Sequence, residues 1–260
     1  MQVGLISPIP ELRNFKQDSS FHLVLSHLLN EHFDYASYYG DARLNGHFVV
    51  LDNSCHEFGF GNNHELLFEQ ARIHNFQEVV LPDELFSVSG TTKRTWDAIE
   101  WLKEHTEFVP DSLMIVPQGN DVDEFDICLE TLLVTLKKAK LLAKITIGIS
   151  KDFQVWEGGI YRIVEELIYP LLEKGDINDI HLLGWPTKLW ELGQIATDFP
   201  KIRSTDSAKS FVYAMKNITL QYGVNIPYPH REKNYFESTF TDEQRKIARY
   251  NVQVFLNTAS

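Results

Sequence analysis

Cysteine is scarce in this chain of 260 residues, with only Cys55 and Cys128. Two thiols cannot staple a disulfide scaffold, and such sparing use fits a reducing compartment. Long apolar runs are missing too: no stretch approaches the ~18 uninterrupted apolar residues that cross a bilayer. The opening MQVGLISPIPEL has neither a basic leader nor a long apolar one, so no secretory signal is expected. Together these absences point to a soluble protein of the cytoplasm, with no membrane partner. Glycine-rich phosphate loops are lacking as well. No GxGxxG follows the first apolar run and no GxxxxGK[ST] occurs, which removes the usual support for a nucleotide-binding open sheet. Basic residues are outnumbered, 24 Lys and Arg against 36 Asp and Glu, for a formal charge of −12. Taken over the whole chain, that disfavours a surface coated for nucleic acid or anionic lipid. The deficit is uneven, however. Residues 201–260 carry nine Lys and Arg against five Asp and Glu, a net of +4, and the first 200 residues carry −16.

Short runs rich in Val and Ile recur at 3–6, 47–51, 78–81, 113–116, 145–149, 180–183 and 202–204. Between them, residues 65–74, 92–105, 124–141, 160–173 and 187–197 repeat apolar side chains at helical spacing. From the second run onward the starts are 31, 35, 32, 35 and 22 residues apart, about the size of a strand–helix unit. Strands apolar on both faces that alternate with helices predict a parallel sheet covered on both sides. Seven strands and a weaker eighth at 218–222 predict an α/β fold, a TIM-like (β/α)8 barrel, for which about 250 residues is typical. A doubly wound open sheet is the alternative. The chain reads as a single domain, 1–260. Its barrel covers 1–222, and a C-terminal extension at 223–260 holds a basic and aromatic loop and then a helix. Thr241, with Gln244 at the third helical position, reads as the capping box of that helix.

In a parallel barrel the chemistry sits where strands end and loops to the helices begin. The runs here end in Asp52-Asn53-Ser54, Pro82-Asp83-Glu84, Pro117-Gln118-Gly119, Ile149-Ser150, Leu183-Gly184 and Thr205-Asp206-Ser207. One Asp after a strand is commonly a helix cap, and Asp206-Ser207 fits that reading. Three aspartates and a glutamine at the same topological point predict a mouth of carboxylates, expensive to bury unless they bind something or hold a proton.

This series resembles the guanine transglycosylases, (β/α)8 enzymes that exchange guanine in nucleic acid for a 7-deazaguanine base. Their DSG-G-F segment is matched loosely by residues 52–58, DNSCHEF. Asp83 stands at their base-reading Asp, Gln118-Gly119 at their Val-Gln-Gly motif, Leu183-Gly184 at their Gly-containing strand end and Asp206-Ser207 at their nucleophilic pair. The resemblance spans about residues 47–210, and its specificity lies in the order and spacing of the series. It implies Asp206 as nucleophile and Asp52 as general acid/base, in a retaining exchange at C1′ through a covalent glycosyl intermediate. It implies base binding by Asp83, Gln118, Gly119 and Gly184, with Phe60 (or Phe58) as stacking partner for a flipped base. Tyr228, His230, Arg231, Lys233 and Tyr235 mix cations with rings as nucleic-acid grooves do, and Lys201, Arg203 and Lys209 flank the expected nucleophile. A solvated basic face is the plain alternative for any of these.

Two departures narrow the resemblance. The zinc held by bacterial tRNA enzymes of the family through a Cys-rich cluster has no counterpart, since no Cys follows Cys128. The chain also has no room for the RNA-binding domains of the archaeal enzymes. It is therefore most similar to the phage and bacterial DNA transglycosylases. That implies DNA as partner, a 7-deazaguanine such as 7-cyano-7-deazaguanine (preQ0) as co-substrate, no cofactor, and the host cytoplasm as location if a phage encodes it. A homodimer or an accessory protein remains open. Alternatives are a tRNA-guanine transglycosylase, a nucleosidase or glycosidase in which water replaces the incoming base, and a non-catalytic nucleic-acid-binding partner subunit. No metal site is expected: Cys55, His56 and His64 match no standard zinc spacing, and the acidic run 121–126 lacks the glycine of a calcium loop.

Overall fold

The computed structural model of the protein describes residues 1–15, 18–185, 188–224, 229 and 231–260. Among these, eight parallel strands hydrogen-bond in the order β1-β8-β7-β6-β5-β4-β3-β2 and curl into a nearly closed TIM-like (β/α)8 barrel. They are β1 (Gln2–Leu5), β2 (Phe21–Leu25), β3 (Phe48–Asp52), β4 (Glu78–Val80), β5 (Ser112–Ile115), β6 (Lys144–Ser150), β7 (Asp179–Leu183) and β8 (Ser204–Ser207). The helices between and after them are α1 (Ser26–Glu31), α2 (Phe33–Leu44), α3 (Cys55–Phe58), α4 (His64–His74), α5 (Val88–Glu104), α6 (Val122–Ala139), α7 (Gly159–Ile163), α8 (Tyr169–Lys174), α9 (Leu189–Asp198), α10 (Lys209–Met215) and α11 (Asp242–Thr258). A π-helical turn, Val164–Ile168, joins α7 to α8, just ahead of Pro170, whose missing N–H interrupts regular α-bonding. No helix among the described residues is long and apolar enough to cross a membrane.

Two strand assignments differ from the sequence expectation. Phe21–Leu25, buried along its whole length, is the second strand. Residues 218–222 are not a strand. There Asn251 accepts the N–H of Leu220 at 2.7 Å and donates to the carbonyl of Ile218 at 3.0 Å, supplying the backbone partners a neighbouring strand would have given.

The apolar core wraps the strands: Val49, Val50, Leu51, Val79, Leu113, Ile115, Ile147, Ile180 and Leu182 are fully buried. The N-terminal end of the barrel holds a polar knot instead. The Arg203 guanidinium donates to both oxygens of Glu78 at 2.7 Å, lies 3.3 Å from Asp179, and rests over the Phe48 and Phe21 rings. Thr146 adds a 2.9 Å bond to Glu78. Burial would push the Glu78 carboxyl up, but the bonds and charge of Arg203 outweigh it and hold it below the usual range.

The seam of the barrel lies between β1 and β2, which are not ladder neighbours. The Ser19 hydroxyl reaches carbonyls of both Val3 and Phe21 there. Gly4 lies opposite Asp206 in the β1–β8 ladder, where a Cβ would meet the Asp206 Cβ at 3.2 Å, and on the seam side the same Cβ would stand 3.5 Å from Leu23 N. In the C-terminal extension, Thr241 and Gln244 form the reciprocal capping box of α11. Buried Glu11 clamps this extension by accepting from Phe240 N and from two guanidinium nitrogens of Arg245 at 2.9–3.0 Å.

Candidate active site

A cavity of about 600 Å³ opens at the C-terminal end of the strands, where the loops of a parallel barrel converge. Asp52, Asn53, Asp83, Gln118, Gly184 and Asp206 all line it, with Leu23, Leu25, Val80, Val116 and Leu183 as apolar wall.

Asp206 is 5% exposed. Its Oδ1 accepts the Gly184 N–H at 2.8 Å and lies 3.1 Å from His181 Nε2. Among the described residues no hydrogen bond is made to Oδ2. The helix-cap reading does not describe this residue, because the Ser207 hydroxyl serves the next turn instead, accepting Lys209 N–H at 3.0 Å. Gly184 holds its N–H in place with φ +64°, and the aliphatic chain of Lys151 lies against it.

Asp52 ends β3 in a tight double turn. Its Oδ2 accepts the N–H of Ser54, and Asn53 Oδ1 accepts that of Cys55, both at 2.8 Å. Ser54 sits in the left-handed region at φ 61°, a conformation that costs a non-glycine residue about 1–2 kcal/mol. Three contacts hold it there: its Oγ lies 2.8 Å from His27 Nδ1 and 3.0 Å from Ser26 Oγ, and its N–H is the one that binds Asp52. Burial pushes the Asp52 carboxyl well above the ordinary range, and the charges of Glu57, Asp206 and Asp83 add to it, against the Ser54 bond. A carboxyl so placed retains its proton more readily than a solvated one, as an acid catalyst must.

The floor is a three-residue unit. Asn53 donates to Asp83 Oδ1 at 2.8 Å and Gln118 to Asp83 Oδ2 at 2.6 Å. The Gln118 oxygen is taken by Phe86 N–H, which fixes its amide with one N–H left to donate. Burial raises the Asp83 carboxyl, and the bonds from Asn53 and Gln118 offset part of that. Gly61 lets two loops close on this floor, as a Cβ there would stand 2.8 Å from Pro82 Cα. Among the described residues no group of three metal-ligating side chains could hold an ion. The Cys55 thiol is pushed up by burial and by Asp83.

The structure places several expected ligands of base or nucleic acid elsewhere. Gly119 does not line the cavity; it seats the start of α6, where a Cβ would meet Phe125 N at 2.6 Å. Phe60 is half exposed outside the cavity under the Arg94 guanidinium, and Phe58 is half exposed against the edge of His27. Arg203 is committed to the Glu78 knot at the opposite end of the barrel, so it cannot contact a polymer at the mouth. Lys201, at the same end, is exposed and pairs with Glu173. Lys209 is buried against the Tyr213 ring, and that burial lowers its ammonium to about 7. Tyr235 is buried with its hydroxyl on the Ile6 carbonyl, so its ring cannot stack on a base. Arg231 does belong to the cavity wall, where it binds Glu57 at 2.9 Å and covers Phe236. Lys233 is exposed. Tyr228 and His230 lie outside the described residues.

Three cavity residues, and one behind the cavity, were not given a role from sequence. Asn53 bridges the floor to β3. Glu57 places one oxygen on Arg231, while the other is buried without a hydrogen-bond partner among the described residues. Lys151 lies 3.1–3.3 Å from the His56 ring nitrogens and 3.2 Å from Asp152. His181 stands behind the cavity, fully buried beneath Asp206. Asn53 and Glu57 fall within the segment 52–58 matched to the family, and His181 shows as a polar residue between apolar neighbours on β7. No protein-family model and no curated protein matches the chain.

Proposed function

We propose that the protein is a glycosyl-transferring enzyme that exchanges guanine in DNA for a 7-deazaguanine base. One observation carries this reading: Asp206, with one oxygen tied back and the other without a hydrogen bond among the described residues, shares a cavity with Asp52 and a hydrogen-bonded Asp83–Gln118–Asn53 floor. The floor complements the guanine edge. Asp83 accepts from N1–H and the 2-amino group, and the spare N–H of Gln118 donates to O6. In the first half-reaction Asp206 Oδ2 attacks C1′ and the C1′–N9 bond breaks. Its electron pair leaves with the base, which takes a proton from Asp52. In the second, N9 of the incoming base attacks C1′ and yields its proton to Asp52. The C1′–O bond breaks as the new C1′–N9 bond forms, and its electron pair returns to Asp206.

Among the described residues, the only Lys and Arg in the cavity wall are Lys151 and Arg231, more exposed than the floor and suited to phosphates flanking an extruded nucleotide. tRNA is the alternative polymer, and the two are separated by experiment. The test offers labelled guanine and 7-cyano-7-deazaguanine with duplex DNA and tRNA separately. Label should enter DNA, and Asp206→Asn should abolish both exchange and the covalent adduct. Label entering tRNA alone would reassign the polymer. Base released without exchange would point to a nucleosidase, and no reaction with either polymer would leave only the binding-subunit reading.

A further inference from the structure

The nucleophile stands at the end of a hydrogen-bonded chain through the barrel interior that base exchange, as described, does not require. Arg203, held by Glu78 at the N-terminal end, donates its Nε–H to Ser204 Oγ at 3.1 Å. Ser204 Oγ lies 2.8 Å from His181 Nδ1, and His181 Nε2 lies 3.1 Å from Asp206 Oδ1. Ser204 and His181 are both fully buried, so water does not substitute for any link.

The direction of the chain follows from its ends. An arginine Nε only donates, and a carboxylate only accepts. Ser204 therefore accepts from Arg203 and turns its own proton toward His181 Nδ1. A neutral imidazole accepting at Nδ1 carries its proton on Nε2, which is the atom facing Asp206.

We propose that His181 and the Gly184 N–H form a two-donor pocket for Asp206 Oδ1, built for the second half of the reaction, with the histidine tautomer set by Arg203 through Ser204. The inference rests on Asp206 as nucleophile. With Oδ1 held by two donors, Oδ2 is the oxygen that bonds C1′, and Oδ1 becomes the carbonyl oxygen of the glycosyl ester. When the incoming base displaces the ester, the C1′–Oδ2 bond breaks and its electron pair spreads over both carboxylate oxygens. The two donors then stabilise the departing carboxylate, as an oxyanion hole stabilises developing charge. The same bonds reduce its power to attack. Losing one should therefore leave the first step intact or faster and slow the second. His181 is thus a positioning residue that makes the nucleophile a good leaving group.

The variants are His181→Leu, His181→Gln, whose amide keeps a donor near the Nε2 position, and Ser204→Ala, a small change that guards against misfolding. Denaturing gels of enzyme mixed with a guanine-containing oligonucleotide, then chased with the incoming base, read adduct formation and turnover separately. In His181→Leu the adduct should accumulate and its discharge slow by about 100-fold, the usual effect of one lost oxyanion donor. His181→Gln should restore much of the discharge, and Ser204→Ala should fall between. Equal slowing of both steps, or no accumulation in either His181→Leu or Ser204→Ala, would overturn the proposal.

A second measurement needs no reaction. Nitrogen-15 NMR of histidine-labelled protein should show His181 protonated at Nε2 and bare at Nδ1, with that bias lost in Ser204→Ala. A spectrum with no proton on Nε2 would overturn the proposal, whatever the enzyme does. A wild-type protein that never forms an adduct would instead sink the functional reading, while the spectrum still decides the tautomer.

Discussion

Replacing Arg203 by Met tests the polar knot at the N-terminal end of the barrel. The substitution removes both 2.7 Å bonds to Glu78 and leaves a fully buried carboxylate with only the Thr146 and Ser112 hydroxyls beside it. Removing one partner of a buried pair costs about 3–5 kcal/mol, because the remaining charge is uncompensated. At roughly 2–4 °C per kcal/mol for a chain of this size, the melting temperature should fall by about 6–20 °C. Glu78 also sets a pH signature. Its folded pKa is depressed, so its stabilisation is present above the unfolded carboxyl value and lost as pH falls through the folded one. In Arg203→Met, burial is unopposed and the same carboxyl titrates upward, so the gap between wild type and variant should narrow as the solution is acidified. Urea denaturation at neutral pH and near pH 4 measures both effects. Arg203→Met combined with Glu78→Met should recover most of the loss, since no charge then remains to be paired. A single-variant loss under ~1 kcal/mol, the range of exposed pairs, or a gap that persists in acid, would refute the reasoning.

Two further outcomes follow from the mouth of the barrel. Asp52 has a raised folded pKa, so it costs no stability below the unfolded value and costs progressively more as pH rises toward the folded one. Asp52→Asn should therefore raise the melting temperature at pH 7–8, by an increment that vanishes near pH 4, while abolishing base exchange. Arg231→Gln should weaken binding of an oligonucleotide to the Asp206→Asn protein and reduce the slope of log affinity against log salt by about one. The double variant with Lys233→Gln should reduce it further, and an unchanged slope would remove the extension from the interface.

The barrel was legible because a parallel strand buried on both faces leaves a Val- and Ile-rich run, and a helix return fixes the distance to the next. β2 escaped because the link from β1 is a 3-10 turn at Ile9–Phe15, far shorter than the repeat. The strand-end aspartates were legible because strand polarity alone sends them to one mouth. Arg203 is sent away from Asp206 by the same polarity, despite their closeness in sequence. It precedes β8 and Asp206 lies near its end, about 10 Å apart at the rise of a strand, so the two face opposite ends. Tyr235 and Lys209 were misread because composition does not distinguish an aromatic or basic residue that grips a ligand from one that packs the chain on itself. Lys151 and His181 reach the site only through the closure of strands distant in sequence, whereas Glu57 follows Asp52 within the matched segment 52–58.

The seam between β1 and β2 bears on how the protein is made. β1 has its ladder partner in β8, with Gln2 opposite Ser204, so roughly 200 residues must leave the ribosome before it can pair. At about 5–20 residues per second that is a wait of roughly 10–40 s. During it, β2 to β7 can assemble by neighbouring contacts, while the first strand and the free edge of β2 stay open to foreign strands. Barrel closure thus belongs among the late, long-range steps of folding. Gly4 pairs with Asp206 across the β1–β8 ladder, so the wall around that aspartate is finished only when the circle is complete.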